Sequence, residues 1–159
     1  MFRRGAKGLE VLLVHPGGPF FARKDLGFWS IPKGEVDPDE GDFEQTARRE
    51  FAEEVGHPVP DRELIPLGSI IQKGGKTVHA WAVEGDMDTA TMSSNYIEMP
   101  WPPFGRKQRW PEVDRWVYFD REDARRHLKD TQIPLLDRLE AELAARRPDE
   151  ARSGTGPND

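Results

Sequence analysis

Cysteine is absent from this 159-residue chain, which excludes disulfides, a thiolate nucleophile and cysteine-ligated zinc together. Long apolar runs are absent too. None approaches the roughly 18 residues that a bilayer-spanning helix needs. The N-terminal stretch MFRRGAKGLEVLLVHPGG has two arginines but only a short apolar run, less than a signal-peptide core requires. There is no surplus of basic charge: 23 Lys and Arg stand against 29 Asp and Glu, a net charge of −6. A general nucleic-acid-binding surface is therefore not expected, although a local basic patch is compatible with that balance. No internal repeat is present. From position 148 the sequence PDEARSGTGPND holds nothing apolar larger than alanine, which predicts a disordered tail over 148–159. What remains is one domain over 1–147, long enough to bury a core and expected in the cytoplasm, away from membranes.

What is present reads as mixed strands and helices. Leu9 to His15 is a short β-rich run between turn residues, a buried strand. Phe20 to Arg23 reads as its resumption after Pro16-Gly17-Gly18-Pro19. Phe28 to Pro32 leads extended into Lys33-Gly34, because the residue before a proline avoids the helical region. A helix is expected from Asp42, a capping residue with Gln45 three positions on. Phe43, Ala47, Phe51 and Val55 recur every fourth residue and form its predicted core stripe. Gly56 closes it. Leu64–Gln72 and Thr77–Glu84 predict a hairpin around Lys73-Gly74-Gly75-Lys76. Gly85 to Arg109 reads as a long functional or mobile loop. Val113–Asp120 is predicted as a strand, and Arg121–Leu128 and Ile133–Arg147 as helices, so a mixed sheet layered with helices is expected.

The chain is organised around Gly34 to Gly56, GEVDPDEGDFEQTARREFAEEVG. On a helix Glu50, Glu53 and Glu54 share one face, predicted to be an exposed flank beside the apolar stripe. Three like charges so close repel. A solvated acidic face is the ordinary explanation of such a run. A hard divalent cation would turn the repulsion into a binding site.

These residues resemble the Nudix box: Gly, five residues, Glu, seven residues, Arg-Glu, an apolar residue, any residue, Glu-Glu, any residue, Gly. Gly34 and Glu40 match its front, and Arg49-Glu50-Phe51-Ala52-Glu53-Glu54-Val55-Gly56 matches its back. Eight residues instead of seven lie between Glu40 and Arg49, an insertion assigned to the Pro38–Asp42 loop, where length costs little. The departure bears on Glu40 and leaves the helix half in register. The resemblance spans about Leu9 to Leu139, and PHPGGPF, FWSIPKGE and EMPWPP…PEVDRW look like a bacterial subgroup of NTP pyrophosphohydrolases.

The resemblance implies a Nudix α/β/α sandwich with a mixed β-sheet. It also implies a turn at Arg3-Arg4-Gly5, with only Met1 and Phe2 left of the preceding strand. By the same resemblance Gly34, Glu50, Glu53 and Glu54 would hold Mg²⁺, with Mn²⁺ as the alternative. Arg49 would orient Glu50, and Glu53 and Glu54 would take part in catalysis. Glu112, ahead of Glu98 and Asp114, is the first loop candidate for a general base. Arg23, Lys33 and Arg109 would bind substrate phosphates, and Trp101, Phe104 or Trp110 would stack a base. The four histidines have no metal-ligand spacing and receive no role.

The implied activity is Mg²⁺-dependent cleavage of a phosphoanhydride in a nucleoside diphosphate linked to another group, with nucleoside triphosphates or dinucleoside polyphosphates as substrates. Two alternatives stay open: a non-catalytic nucleotide-sensing module, and hydrolysis of RNA 5′-triphosphate ends, which would want a broader basic groove. The proline that ADP-ribose enzymes carry past the box is replaced by Ile71, and the tyrosine of diadenosine polyphosphate hydrolases is missing from Gln72-Lys73-Gly74. A homodimer is a common family state.

Overall fold

The structure is a computed structural model that describes residues 1–35, 39 and 41–153, the last seven as helix backbone. Glu40, and with it the expected insertion, lies outside the described residues. The central sheet starts with a tight hairpin. β1 (Phe2–Gly5) pairs antiparallel with β2 (Gly8–Pro16) in the register Phe2↔Val11 to Gly5↔Gly8. The turn expected at Arg3-Arg4-Gly5 is thus displaced. Those residues belong to the strand, and the chain reverses at Ala6-Lys7.

β2 also pairs antiparallel with β7 (Val113–Asp120). Successive side chains of β2 point to opposite faces, and both faces are covered. Val11 and Leu13 enter one core cluster with Ala124, Leu128, Leu135, Leu136 and Leu139. Leu12 enters the other with Phe51, Val55 and Met92. A strand buried on both sides has to be apolar throughout, which explains the unbroken VLLV.

β3 (Ile65–Ile71) and β4 (Thr77–Ala82) form the expected hairpin. Beyond β4 the chain runs parallel to β1. Phe2 N–H donates to the Val83 carbonyl and Gly85 N–H to the Phe2 carbonyl, each at 2.9 Å. This junction makes the sheet mixed. α1 (Phe43–Val55) covers one face, while α2 (Arg121–His127) and α3 (Ile133–Ser153) cover the other. The result is the α/β/α sandwich anticipated from the sequence.

Three further expectations are corrected. Phe20–Arg23 forms turns, not a strand. About half of the expected loop Gly85–Arg109 is ordered as a hairpin, β5 (Tyr96–Pro100) against β6 (Lys107–Pro111), preceded by a 3₁₀ turn at Thr89–Thr91. α3 continues past Arg147 to Ser153, so part of the tail assigned to 148–159 is helical, and 154–159 lie outside the described residues. Among the described residues no helix is long and apolar enough to cross a membrane.

Candidate functional site

α1 begins where its cap residue sits. Asp42 is extended, and its carboxylate accepts a hydrogen bond from Glu44 N–H at 2.9 Å, leaving the helix with one fewer orphan donor. The helix ends on Gly56, left-handed at φ 79°, whose N–H closes on the Ala52 carbonyl at 2.8 Å. A Cβ at position 56 would run into Ser93.

Which face α1 buries differs from the expectation. Phe43 is exposed and Ala47 only half buried, whereas Thr46, Glu50, Phe51, Glu54 and Val55 are buried. Glu50 and Glu54 retain only 8% and 7% of their exposure. They do not lie on an open flank. The reason is the segment that packs there: Lys33-Gly34 crosses over the helix, and Lys33 N–H donates to the Glu54 carboxylate at 3.0 Å. Glu50 lies directly under Gly34. A Cβ at position 34 would fall on its carboxyl carbon, so only glycine permits this approach.

Burial sets the electrostatics. Desolvation, with the charges of Glu112 and Glu50 adding to it, pushes the Glu54 carboxyl up to about 8, even though the Lys33 N–H opposes the shift. Glu50 moves in the same direction, chiefly through burial, with Glu53 and Glu112 adding to it and Arg49 opposing. Glu112 is therefore a neighbour of both. Its backbone is fixed between two elements: its N–H donates to the Asn95 carbonyl at 2.8 Å, and its carbonyl accepts from Gly17 N–H at 2.9 Å. Arg49 bridges the cluster. One guanidinium nitrogen lies 3.0 Å from Glu50 and 3.1 Å from Glu53, and another donates to the Glu35 carbonyl at 3.1 Å.

The structure therefore gathers Gly34, Lys33, Arg49, Glu50, Glu53, Glu54 and Glu112. It does not gather the rest of the expected set. Arg23 is exposed in the turn after Pro19. Trp101 stands at the tip of the β5–β6 hairpin, where its carbonyl accepts from Gln108, and the Arg109 guanidinium lies 4.2 Å over the Tyr96 ring. Phe104 is fully exposed at the same tip. Of the other base candidates, Glu98 is exposed on β5 opposite Arg109, and Asp114 is committed to the buried His15 at 2.6 Å.

Two features of the site had no local sequence signal. A cavity of about 290 Å³ opens beside the carboxylates, with Ile31, Pro32, Lys33, Gly34, Phe43 and Glu50 among its walls. At its edge the Phe43 and His79 rings stack with centroids 4.3 Å apart. Lys129, just after α2, feels the charges of both Lys33 and Glu54.

The donor set fits a hard divalent cation. Its oxygens belong to carboxylates whose charged forms burial disfavours, and a cation would favour those forms. The cage is not ready-made: among the described residues no three acidic or histidine side chains converge on one point.

A family model described as NUDIX domain matches residues 1–139. This chain belongs to the Nudix family. Among solved structures it is similar to the NUDIX domain of Shewanella oneidensis NrtR complexed with ADP ribose, at 18% identity and a TM-score of 0.62, covering 89% of this chain and 82% of that one. At that identity the likeness concerns the Nudix fold. No curated protein matches significantly.

Proposed function

We propose that this Nudix domain is a Mg²⁺-dependent hydrolase of nucleotides, cleaving a phosphoanhydride in a nucleoside diphosphate linked to a further group. The observation that carries the reading is the pair of buried glutamates under Gly34, with Glu112 beside them. Burying two carboxylates beside Glu112, whose charge raises the pKa of both, is costly for the fold and serves a purpose if a cation and a phosphate chain meet there. Glu50, Glu53 and Glu54, with the Gly34 carbonyl, are the proposed cation ligands. A bound divalent ion would screen phosphate charge and lower the pKa of a coordinated water.

The chain's own groups have distinct tasks in this reading. Arg49 holds Glu50 and Glu53 in place. Lys33 N–H orients Glu54 by donating to it, and the Lys33 ammonium faces the phosphates. Glu112 takes the proton from the attacking water, acting as general base from a backbone clamped on both sides. The apolar cavity beside Gly34 receives the uncharged end of the substrate.

A second reading is nucleotide sensing without turnover. Two observations favour it: the carboxylates do not converge as a cage, and the similar NrtR domain is complexed with ADP ribose. One experiment separates them. A panel of nucleoside triphosphates, diadenosine polyphosphates, ADP-ribose and NADH is incubated with Mg²⁺, Mn²⁺ or chelator, and phosphate and nucleotide products are measured. Metal-dependent release from one class supports the hydrolase. Binding without release under every metal supports the sensor.

A further inference from the structure

We infer that Lys129 is an anion-binding residue of this site, meeting phosphoryl oxygens of the bound phosphate chain together with Lys33. The identity of the ligand rests on the nucleotide reading above; the placement of Lys129 rests on geometry. The segment around it is tied to the bridged residues Trp29 and Ser30, and to Ile31, which lead into Lys33-Gly34. Trp29 N–H donates to the His127 carbonyl at 3.0 Å, Lys129 N–H to the Trp29 carbonyl at 2.9 Å, and Ile31 N–H to Gln132 Oε1 at 3.0 Å. Gln132 is fully buried and also bonds the Ser30 hydroxyl. Lys129 is therefore held in register with the residues just before Lys33, and its neighbour Leu128 lines the same cavity as Lys33, Gly34 and Glu50.

The side chain feels the Glu54 charge but makes no direct ion pair with it. It is half buried, and among the described residues no carboxylate lies within ion-pair distance of it. Burial and the Lys33 charge both lower its pKa, with Glu54 opposing. A methionine there would cover the same apolar surface without desolvating a charge or facing a second lysine. A costly cation beside another cation is explained by an anion that arrives with the ligand. Phosphoryl oxygens match it, because lysine binds phosphate as a point charge.

The test is calorimetric titration of the full chain with inorganic pyrophosphate, in Mg²⁺ and in chelator, for wild type, Lys129→Met and Lys129→Arg. Wild type should bind; Lys129→Met should weaken binding by at least about tenfold, and Lys129→Arg should stay within about threefold. The melting temperature of Lys129→Met should equal or exceed that of wild type, which a merely structural lysine would not allow. On a hydrolysed nucleotide the loss should appear mainly in KM. Unchanged affinity in Lys129→Met, or no pyrophosphate binding by wild type in either condition, overturns the assignment. Pyrophosphate binding that depends on Lys129, without hydrolysis of any nucleotide, supports Lys129 while removing the hydrolase reading. Hydrolysis unaffected by Lys129→Met does the reverse.

Discussion

In the proposed reaction Glu54 is the residue on which stability and function pull in opposite directions. Its carboxyl titrates at about 8 in the folded chain, against an ordinary value of 4.5, so the folded state keeps a proton that the unfolded chain releases. Stability therefore falls as pH rises from about 4.5 to about 8, by at most about 1.4 kcal/mol per pH unit for this one group. The loss is absent below that window and complete above it. Urea denaturation in chelator, repeated from pH 5 to 8.5, should show this slope, and Glu54→Gln should flatten it and be the more stable protein at pH 8. An equally steep slope in Glu54→Gln would contradict the account. Gly34 gives a second prediction. Gly34→Ala places a methyl group on the Glu50 carboxyl carbon, and the side chain must move out of its seat. A loss of about 1–3 kcal/mol is expected from overpacking, together with loss of cation binding, measurable by denaturation and by titration with Mn²⁺.

At the scale of the element, α1 is the part best foreshadowed by its own sequence. Asp42→Ala should cost about 1 kcal/mol through the lost cap. Gly56→Ala should cost roughly 1–2 kcal/mol, because alanine resists a positive φ and its methyl meets Ser93. Thermal denaturation of the two variants checks both. The helix limits, the Nudix box and the two-sided burial of β2 could be read from spacing and capping chemistry, which are local. The buried face of α1 could not. An apolar stripe of Phe43, Ala47, Phe51 and Val55 is visible in the sequence, but the packing of Lys33-Gly34 over Glu50 and Glu54 depends on a segment before the helix. The β5–β6 hairpin was hidden for a related reason. Its strands are short, each ends in proline, and nothing in YIEMP or KQRWP alternates strongly. Lys129 carries no signal at all, since only the fold sets it beside Lys33.

On the scale of the whole molecule, the sandwich works as a frame that holds charge in place. The parallel junction of β1 with Val83–Gly85 ties the β3–β4 hairpin to the central sheet, and α1 spans the face where the cavity opens. The network around Trp29 and Gln132 binds the α2 end to the same region. If a divalent cation balances the buried glutamates, it binds the folded state alone and stabilises it by mass action. Mg²⁺ at millimolar concentration should therefore raise the melting temperature of wild type and not of a Glu50→Gln/Glu54→Gln double variant. Equal shifts in both would place the cation elsewhere. The most direct test of the central claim is product release from the nucleotide the panel identifies, comparing wild type with Glu53→Gln and Glu54→Gln, with Mg²⁺ and with chelator. The account predicts turnover that requires the metal and falls at least about a hundredfold in each variant, with circular dichroism unchanged. Turnover that persists in the variants or in chelator would contradict it.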